Sequence, residues 1–375
     1  PLTLTPADLR TRFPQHEVVA ALQCAGNRRR AMRTRLPRRG EIKGVDWGDG
    51  AAACCVWRGP RLRDVLVAAG VGVGSCADRS GGGGCNSASG GSAVLERVDS
   101  VVDGGVAGGD EGGGNCGGGD GRVGGGGGGG GVDGALHVEF ACHATACQEA
   151  SWYGASIPLA RAMSVEDEVV VAVEMNGRPL TAAHGAPVRI VVPGVVGARS
   201  VKWVDTITVQ PFESRNHYQQ RDYKILPQFC IDDATAEKWW SRTPALMDMP
   251  VNSVVGIPQS GCRVTPSAVD GTIEVRGYAL PGGKDGPVRR VEVSGDEGRT
   301  WTAAEILEPP EEMGRLASRW AWSLWRARVK VEKGVKRCVW SRATDGRDTQ
   351  PRFPEWNWRG LAYNGYGEAV DLLVE

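Results

Sequence analysis

The chain has 375 residues, more than one ordinary domain needs and enough for two or three domains. Apolar residues make up 41% of it, and 44 Lys and Arg residues balance 44 Asp and Glu residues. This balance excludes a global attraction to nucleic acid or to an anionic membrane, so any anion site must be a local cluster. The sequence contains no run of about 18 apolar residues, and we expect no membrane span.

The eleven cysteines are odd in number and lack the paired spacing of a zinc site or a disulfide framework. Scattered thiols are typical of a reducing compartment. The chain starts at Pro1 without an initiator Met, and its start resembles neither a signal peptide nor a presequence. We therefore expect the N-terminus of the protein to lie upstream. Mitochondrial, peroxisomal and cytoplasmic locations all stay open.

Residues 1–75 show mixed α and β patterns. The segment Thr5–Arg12 predicts a short helix, because Thr5 is a good N-cap and a proline follows it. An apolar run over Val18–Gln23 predicts a strand. Arg61–Ala69 predicts a second helix, because its leucines and valine recur on one face. We expect these elements to form the first part of one domain.

Residues 76–134 are about half glycine, with an unbroken run over Gly124–Gly131. Such a segment buries too little apolar surface to offset the entropy of ordering. It is either a disordered insert or an artefact of the gene model, such as a translated intron. Because ordinary patterns resume abruptly at Leu136–Phe140, the artefact is slightly favoured. A phosphate-binding loop is not expected, since no strand precedes the segment and no helix follows it.

Residues 135–245 return to mixed α and β patterns, with strands predicted over Pro187–Pro193 and Val201–Val209. Residues 246–375 contain short alternating segments between turns. The clearest of these segments are Thr272–Ala279, Val288–Ser294 and Trp320–Val331. Regularly spaced strands of this kind predict a β-sandwich of about a hundred residues or more.

A candidate metal-binding site lies in the segment Leu22–Arg30, where Cys24 follows a strand and a small-residue turn leads to three arginines. Guanidinium groups favour the thiolate form of a cysteine, and a thiolate is a soft ligand for a transition metal. The same arginines suit bidentate binding of an oxyanion. The alternative is a buried cysteine beside a basic surface run.

Three further segments offer anion donors. Tyr153 precedes a Gly-Ala-Ser turn and can present its hydroxyl group to a pocket, although packing alone would also explain it. His184, Arg189 and Lys202 flank a glycine-rich turn and suit a phosphate, whereas a lone histidine would more often be part of a core. Arg359 lies between Trp358 and a glycine, where it either stacks on aromatic rings or reaches an anion site.

These segments together resemble the sulfite oxidase family, and within it the fungal type. The resemblance covers about residues 1–75 and 136–375. The motifs that carry it are Leu22–Arg29, Tyr153–Pro158, Glu174–Gly177, Val191–Trp203, Arg221–Lys224, Met249–Ser253, Arg276–Ala279 and Trp320–Trp325.

The resemblance implies an α+β fold with two domains. A mixed α/β molybdopterin-binding domain would comprise residues 1–75 and 135–245, and an immunoglobulin-like β-sandwich that dimerises would comprise residues 246–375. The implied cofactor is molybdenum-molybdopterin, and no haem motif is present. Cys24 would bind molybdenum. The sulfite pocket would contain Arg29, Trp47, Tyr153 and Arg359, and the pterin and its phosphate would be held by His184, Arg189, Ser200, Val201 and Lys202.

The implied reaction is oxidation of sulfite to sulfate by oxygen-atom transfer, with molecular oxygen or a separate electron carrier as acceptor. A nitrate reductase molybdenum domain is the main alternative, because it shares the Cys24 motif. Arg359 favours sulfite, since nitrate reductases resemble this motif but carry methionine there. An inactive relative that dimerises without cofactor is the third possibility. Ala144 and Ala183 stand where the family carries aspartates, and the family's earlier substrate-binding segment would lie upstream of Pro1.

Overall fold

The computed structural model describes residues 1–35, 41–72, 94–95, 136–316 and 318–375. The glycine-rich segment predicted over residues 76–134 lies outside the described residues, apart from Val94 and Leu95. These two residues form a short strand that pairs with Ile207 and Thr208. The question of an insert or an artefact therefore stays a prediction. Among the described residues, no helix is long and apolar enough to cross a membrane.

The N-terminal unit, residues 1–245, combines short helices with two four-stranded sheets and one two-stranded sheet. The sheet orders are β1-β2-β7-β8, β3-β10-β4-β5 and β6-β9. Its helices are α1 (Pro6–Thr11), α2 (Arg29–Arg35), α3 (Leu62–Ala68), α4 (Leu159–Met163), α5 (His217–Gln220) and α6 (Asp233–Glu237). Its strands are β1 (Gln15–Gln23), β2 (Ala52–Pro60), β3 (Val94–Leu95), β4 (His137–Cys142), β5 (Tyr153–Pro158), β6 (Val170–Ala172), β7 (Glu174–Met175), β8 (Arg178–Pro179), β9 (Arg189–Val191) and β10 (Thr206–Gln210).

The predicted elements of the first 75 residues are confirmed. Thr5 caps α1 in a capping box with Asp8, and Pro6 occupies the first helical position. Strand β1 contains the predicted apolar run and pairs with β2 in antiparallel register. Helix α3 buries the predicted face of leucines and valine against the core of the unit.

The strand predicted over Val201–Val209 is wrong in its first half. Strand β10 begins only at Thr206. Trp203 has a φ of 52°, a left-handed conformation that an extended strand cannot include. Lys202 contributes a single bridge to Arg189 instead. The strand predicted over Pro187–Pro193 is also shorter than expected, because β9 covers only three residues.

The C-terminal unit, residues 246–375, contains two sheets with the orders β11-β13-β17-β16 and β12-β19-β18-β14-β15. One short helix, α7 (Glu311–Gly314), lies between strands β16 and β17. The strands are β11 (Asn252–Ile257), β12 (Arg263–Val264), β13 (Thr272–Leu280), β14 (Arg290–Ser294), β15 (Thr302–Ala303), β16 (Glu305–Ile306), β17 (Ser323–Lys330), β18 (Gly334–Thr344) and β19 (Gly367–Val374).

The core of this unit forms between its sheets, as the alternating sequence predicts. Strand β17 turns Trp325, Ala327 and Val329 inward, and its intervening residues are exposed. Gly277 lies opposite Trp325 in the register of β13 and β17. A Cβ atom at Gly277 would lie 2.4 Å from the indole ring, so the absent side chain makes room for Trp325.

The loop between β18 and β19 returns to the N-terminal unit. Trp356, Trp358 and Tyr363 pack into a core cluster with Met32 and other residues of that unit. The Ala362 N–H donates to the Ala25 carbonyl oxygen over 2.8 Å. This loop therefore brings the C-terminal part of the chain beside the turn that follows β1.

Candidate active site and cofactor-binding cavity

Cys24 is the first residue after β1, and its thiol is free and half-buried. Its N–H donates to the Ala51 carbonyl oxygen over 2.9 Å, and its own carbonyl oxygen accepts the Asn27 N–H over 3.0 Å. A Cβ atom at Gly197 would lie 3.0 Å from the Gln23 carbonyl oxygen. Because Gly197 has no side chain, its backbone can pack closely on the backbone of Gln23, the residue before Cys24.

The three arginines after the turn point in different directions. Arg30 is exposed at the surface and pairs with Asp46 at 3.1 Å. Arg28 is buried against the C-terminal unit. Burial lowers the pKa of Arg29, and Cys24 lies close enough for its thiolate charge to oppose that shift. The predicted guanidinium cluster around the thiol is therefore correct for only one of the three arginines.

Arg29 is held in a channel with glycine walls. It is 6% exposed, and its guanidinium donates to the carbonyl oxygens of Arg359 and Val45, each over 2.8 Å. A Cβ atom at any of three surrounding glycines would lie 2.6–2.7 Å from an Arg29 side-chain atom. The three are Gly26, Gly44 and Gly360. The glycines therefore fix where the guanidinium lies.

Arg359 supplies a second cation beside Arg29. Its Nη2 contacts Asp222 Oδ1 at 2.5 Å, and both side chains are 17% exposed. Its Nε is buried without a hydrogen-bond partner among the described residues. Burial lowers the pKa of Arg29, and the Arg359 charge lowers it further. Burial raises the pKa of Asp222, although the Arg359 charge opposes that shift. Two partly desolvated cations and one carboxylate therefore share this site.

Tyr223 completes the group and has no assigned role in the sequence prediction. Burial raises its pKa to about 12, and the charges of Asp222 and Cys24 add to the shift. The phenol therefore stays protonated near neutral pH and can donate a hydrogen bond. The motif Arg221–Lys224 contained the signal for this residue and for Asp222, but only the fold brings the motif close to Cys24.

Tyr153, the predicted pocket tyrosine, lies near Tyr223, but its hydroxyl group already has a partner. That hydroxyl donates to the Ala198 carbonyl oxygen over 2.9 Å, and the Tyr153 ring stacks on Tyr218 with centroids 4.9 Å apart. Burial raises its pKa well above the ordinary value. Its role in substrate binding stays a prediction.

Trp47, the other predicted pocket residue, has a fixed backbone and an exposed ring. Its N–H donates to the Val45 carbonyl oxygen over 2.9 Å, and its carbonyl oxygen accepts the Arg30 N–H over 3.0 Å. The residue is 46% exposed. It therefore lies beside the Arg29 channel, whose wall includes Val45, rather than within the buried group.

A cavity of about 300 Å³ holds most of the predicted pterin-binding residues. Its lining consists of Cys142, Thr145, Cys147, Tyr153, Arg189, Gly197, Ala198, Ser200, Val201, Lys202 and Trp203. Gly197, which packs on the Cys24 backbone, is part of this lining. The cavity therefore lies next to the turn that begins at Cys24.

Arg189 is the most buried cation of the cavity. Its guanidinium donates to the carbonyl oxygens of His184 and Ser200 over 3.0 and 3.3 Å and lies 4.8 Å from the centre of the Trp57 ring. Its Nε is buried without a partner among the described residues. Burial lowers its pKa to about 10, so it stays charged at neutral pH.

Lys202 and His184 lie on the outer side of the cavity. Lys202 Nζ donates to the Ala183 carbonyl oxygen over 3.0 Å and lies 4.2 Å from the centre of the Trp203 ring. His184 is exposed, and its Nδ1 lies 2.7 Å from Thr181 Oγ1. Of the five predicted pterin-binding residues, only His184 does not line the cavity. Its carbonyl oxygen accepts a hydrogen bond from Arg189.

Ser200 and Val201 line the cavity, and each accepts a hydrogen bond from a backbone N–H of residues 190–192. The Ser200 hydroxyl accepts the Val192 N–H over 3.0 Å, and the Val201 carbonyl oxygen accepts the Ile190 N–H over 2.8 Å. The Ser200 hydroxyl keeps its own O–H free to donate, and its predicted role in binding the pterin stays a prediction.

The arrangement suits a metal bound to an anionic organic cofactor. Cys24 offers a soft thiolate ligand at one side. Arg189 offers an unpartnered buried N–H, and Lys202 offers a cation, both suited to a phosphate group. On the other side of Cys24, Arg29 and Arg359 suit a small oxyanion. The residues present therefore fit a molybdenum-pterin group.

Comparison with known families assigns both units. The oxidoreductase molybdopterin binding domain matches residues 1–102 and 123–218. The Mo-co oxidoreductase dimerisation domain matches residues 243–370. The chain thus has the domain pair of a molybdopterin oxidoreductase, and its cofactor is molybdenum-molybdopterin. It belongs to the sulfite oxidase family.

Curated relatives agree with this assignment. Sulfite oxidase of Gallus gallus is 38% identical over 363 residues, which cover 96% of this chain and 63% of the relative. Mitochondrial sulfite oxidase of Homo sapiens is 36% identical and covers 97% of this chain and 54% of its own length. The Arabidopsis thaliana sulfite oxidase is 33% identical, with 96% of this chain and 77% of the relative covered. The chain thus spans between about half and three quarters of the length of these relatives.

A solved structure supports the fold. The sulfane dehydrogenase SoxCD from Paracoccus pantotrophus superimposes with a TM-score of 0.63, and the match covers 98% of this chain and 73% of that chain. The two sequences are 21% identical. The likeness therefore confirms the predicted fold class, a molybdopterin domain followed by a β-sandwich.

Proposed function

We propose that this chain oxidises sulfite to sulfate with a molybdenum-molybdopterin cofactor held by Cys24. The observation that carries the proposal is the group formed by Arg29, Arg359 and Tyr223 beside the thiol. Two partly desolvated cations and a protonated phenol suit a doubly charged oxyanion such as sulfite. The sulfite oxidases among the relatives support this substrate.

The reaction converts sulfite and water into sulfate, two protons and two electrons. When bound, the cofactor supplies the oxygen atom that sulfite gains and accepts the electron pair. Arg29 and Arg359 would orient the substrate anion and stabilise negative charge in a site that excludes water. Asp222 would hold the Arg359 guanidinium in place. The Tyr223 hydroxyl would donate a hydrogen bond to an oxygen atom of the substrate.

Cofactor binding would use the cavity beside Cys24. Arg189 and Lys202 would bind the phosphate group, and the backbone around Ser200 and Val201 would contact the pterin. His184 would act through its carbonyl oxygen, which positions Arg189. Tyr153 would close the cavity between the cofactor and the substrate group.

We also propose that the working form is a homodimer that passes electrons to an external acceptor, either molecular oxygen or a separate electron carrier. The matched dimerisation domain supports the dimer. Sedimentation at several protein concentrations measures the assembly. A chain that stays monomeric at micromolar concentration contradicts this part of the proposal.

The decisive test is sulfite-dependent reduction of ferricyanide, with molybdenum measured in the same sample. We expect about one metal per chain and turnover, and we expect Cys24→Ser to abolish turnover because it removes the soft ligand. Cys262→Ser, in the C-terminal unit, is the matched control and should retain turnover. Sulfite turnover by the Cys24→Ser variant would refute the mechanism. Nitrate reduction by the native chain without sulfite turnover would instead identify a nitrate reductase.

A further inference from the structure

Arg28 follows Cys24 by four residues, but its side chain leaves the N-terminal unit. It is 3% exposed. Its guanidinium donates to four oxygen atoms of the C-terminal unit: Asn252 Oδ1 at 2.7 Å, the Ser253 carbonyl at 3.1 Å, the Gly365 carbonyl at 2.7 Å and the Tyr366 carbonyl at 2.6 Å. Its Cζ also lies 4.7 Å from the centre of the Tyr363 ring. Its Nε lies 3.4 Å from Asp49 Oδ1 of the N-terminal unit, so the C-terminal unit supplies most, but not all, of the partners of this cation.

The acceptors belong to a buried network of their own. Gln350 Nε2 donates to the Gly365 carbonyl oxygen over 2.6 Å, and its Oε1 accepts from Ser253 Oγ over 2.7 Å. Asn252 Nδ2 donates to the Tyr363 carbonyl oxygen over 3.0 Å. Because these groups fix one another, they form a preorganised receptor for a planar guanidinium.

The backbone of Arg28 connects this receptor to the turn. Its φ is 65°, a left-handed conformation that is uncommon for a residue with a side chain. Its N–H donates to the Gly48 carbonyl oxygen over 2.9 Å. Such a conformation persists where surrounding contacts determine it, and all four side-chain hydrogen bonds of Arg28 lie in the other unit. The next residue, Arg29, then points back toward Cys24.

We propose that Arg28 is a positioning residue through which the C-terminal unit sets the conformation of the turn Cys24–Arg29. Its bound guanidinium fixes the left-handed residue of the turn. That residue fixes the directions of the Cys24 thiol and the Arg29 side chain. The matched dimerisation domain thereby shapes the metal-binding turn of the other domain. The inference rests on the proposed function only for the roles of Cys24 and Arg29.

A second contact between the units provides a matched control. Arg35 Nε pairs with Glu368 at 2.6 Å, where Glu368 is on β19. This pair joins the same two units from the end of α2, outside the turn. If Arg28 only held the two units together, its replacement would affect Cys24 to the same extent as replacement of Arg35.

The test measures alkylation of Cys24 by iodoacetamide in the full chain prepared without cofactor. Peptide mass spectrometry gives the rate at Cys24, with Cys262 as an internal reference, and thermal unfolding is followed in parallel. The variants are Arg28→Lys, Asn252→Ala and Arg35→Gln. Arg28→Lys keeps the positive charge but removes the planar guanidinium with its several N–H donors. Asn252→Ala removes a hydrogen-bond acceptor from the opposite unit.

We expect Arg28→Lys and Asn252→Ala to raise the Cys24 rate at least about 10-fold, because local opening of the turn becomes easier. Arg35→Gln should lower the unfolding temperature and leave the Cys24 rate unchanged. Cys24 rates equal to wild type in Arg28→Lys and Asn252→Ala would overturn the proposal, as would an equal increase in Arg35→Gln. If Arg28→Lys does not fold, Asn252→Ala decides alone. The readout needs no sulfite turnover, so it is independent of the proposed function.

Discussion

At the scale of single residues, the substrate group depends on which tyrosine offers a free hydroxyl. The Tyr153 hydroxyl donates to a backbone carbonyl oxygen, whereas Tyr223 lies within the electrostatic reach of Cys24 and Arg359. The sequence favoured Tyr153 because a Gly-Ala-Ser turn was predicted after it, but these three residues continue strand β5. The structure favours Tyr223 as the donor to an anion, and the two possibilities lead to different kinetics.

Replacement of Tyr223 by Phe should lower kcat/KM for sulfite by about 10- to 100-fold, since a hydrogen bond to a charged group contributes about 1.5–3 kcal/mol. Steady-state kinetics per bound molybdenum measures the effect. Tyr153→Phe is the matched comparison and should cost less. A larger loss in Tyr153→Phe than in Tyr223→Phe would favour the prediction made from the sequence.

A second residue-scale prediction concerns His137, whose pKa is lowered by burial on β4. Its folded-state pKa lies below the unfolded value of about 6.5. The unfolded chain therefore binds more protons as pH falls, so stability is present above pH ~6.5 and is lost as pH falls through the folded pKa.

We expect His137→Gln to reduce the drop in unfolding temperature between pH 7.5 and pH 5.5. The wild-type chain, measured under the same conditions, is the control. Calorimetry at both pH values measures the drop. An identical acid-induced drop in His137→Gln and the wild type would exclude His137 as a source.

At the scale of elements, glycines allow the turn Cys24–Arg29 to pack closely against the loop that carries Arg359. Gly360 has a φ of 57°, and a Cβ atom there would lie 2.6 Å from the Arg29 side chain and from Ile42. Gly44, from a different loop, packs against the same guanidinium. The position of Arg29 is therefore decided by backbone that lies far from it in the sequence.

Replacement of Gly360 by Ala should displace Arg29 and raise KM for sulfite by about 10-fold or more, because left-handed strain of about 1 kcal/mol or more adds to the steric conflict. The matched control is Gly50→Ala, since a Cβ atom there meets nothing within 4 Å. Kinetics and molybdenum content of both variants measure the effect. An unchanged KM in Gly360→Ala would show that the glycine channel does not fix the Arg29 guanidinium, the cation proposed to bind the substrate.

At the scale of the whole molecule, hydrogen bonds and ion pairs join the two units. Lys284 Nζ lies 2.8 Å from Asp167; the Lys284 side chain is 49% exposed and the Asp167 side chain 2% exposed. Trp320 Nε1 donates to Glu168 over 2.7 Å. A buried carboxylate that loses its cation is costly, because its charge is no longer compensated. The interface between the two units therefore depends on ion pairs as well as on apolar packing.

Lys284→Met should lower the free energy of unfolding by about 1–3 kcal/mol, because it removes the cation that lies 2.8 Å from the buried Asp167 carboxylate. Lys330→Met, at an exposed position of β17, should change it by less than about 0.5 kcal/mol. Urea denaturation of the cofactor-free chain measures both. Equal stability of the two variants would show that the Lys284 pair does not stabilise the interface.

The sequence alone predicted the β-sandwich, strand β1 and helices α1 and α3, and it identified Cys24 as a candidate metal ligand. These features follow from local chemistry, such as capping by Thr5, alternation along β17 and a thiol followed by arginines. Only the tertiary structure decided which contacts hold Arg29 beside Cys24 and Arg359, and that Tyr223 joins them. Arg28, Arg29 and Arg30 are chemically alike, and their roles differ because buried acceptors, glycine walls and solvent lie in different directions. Those directions depend on chain segments hundreds of residues apart, which no local pattern records.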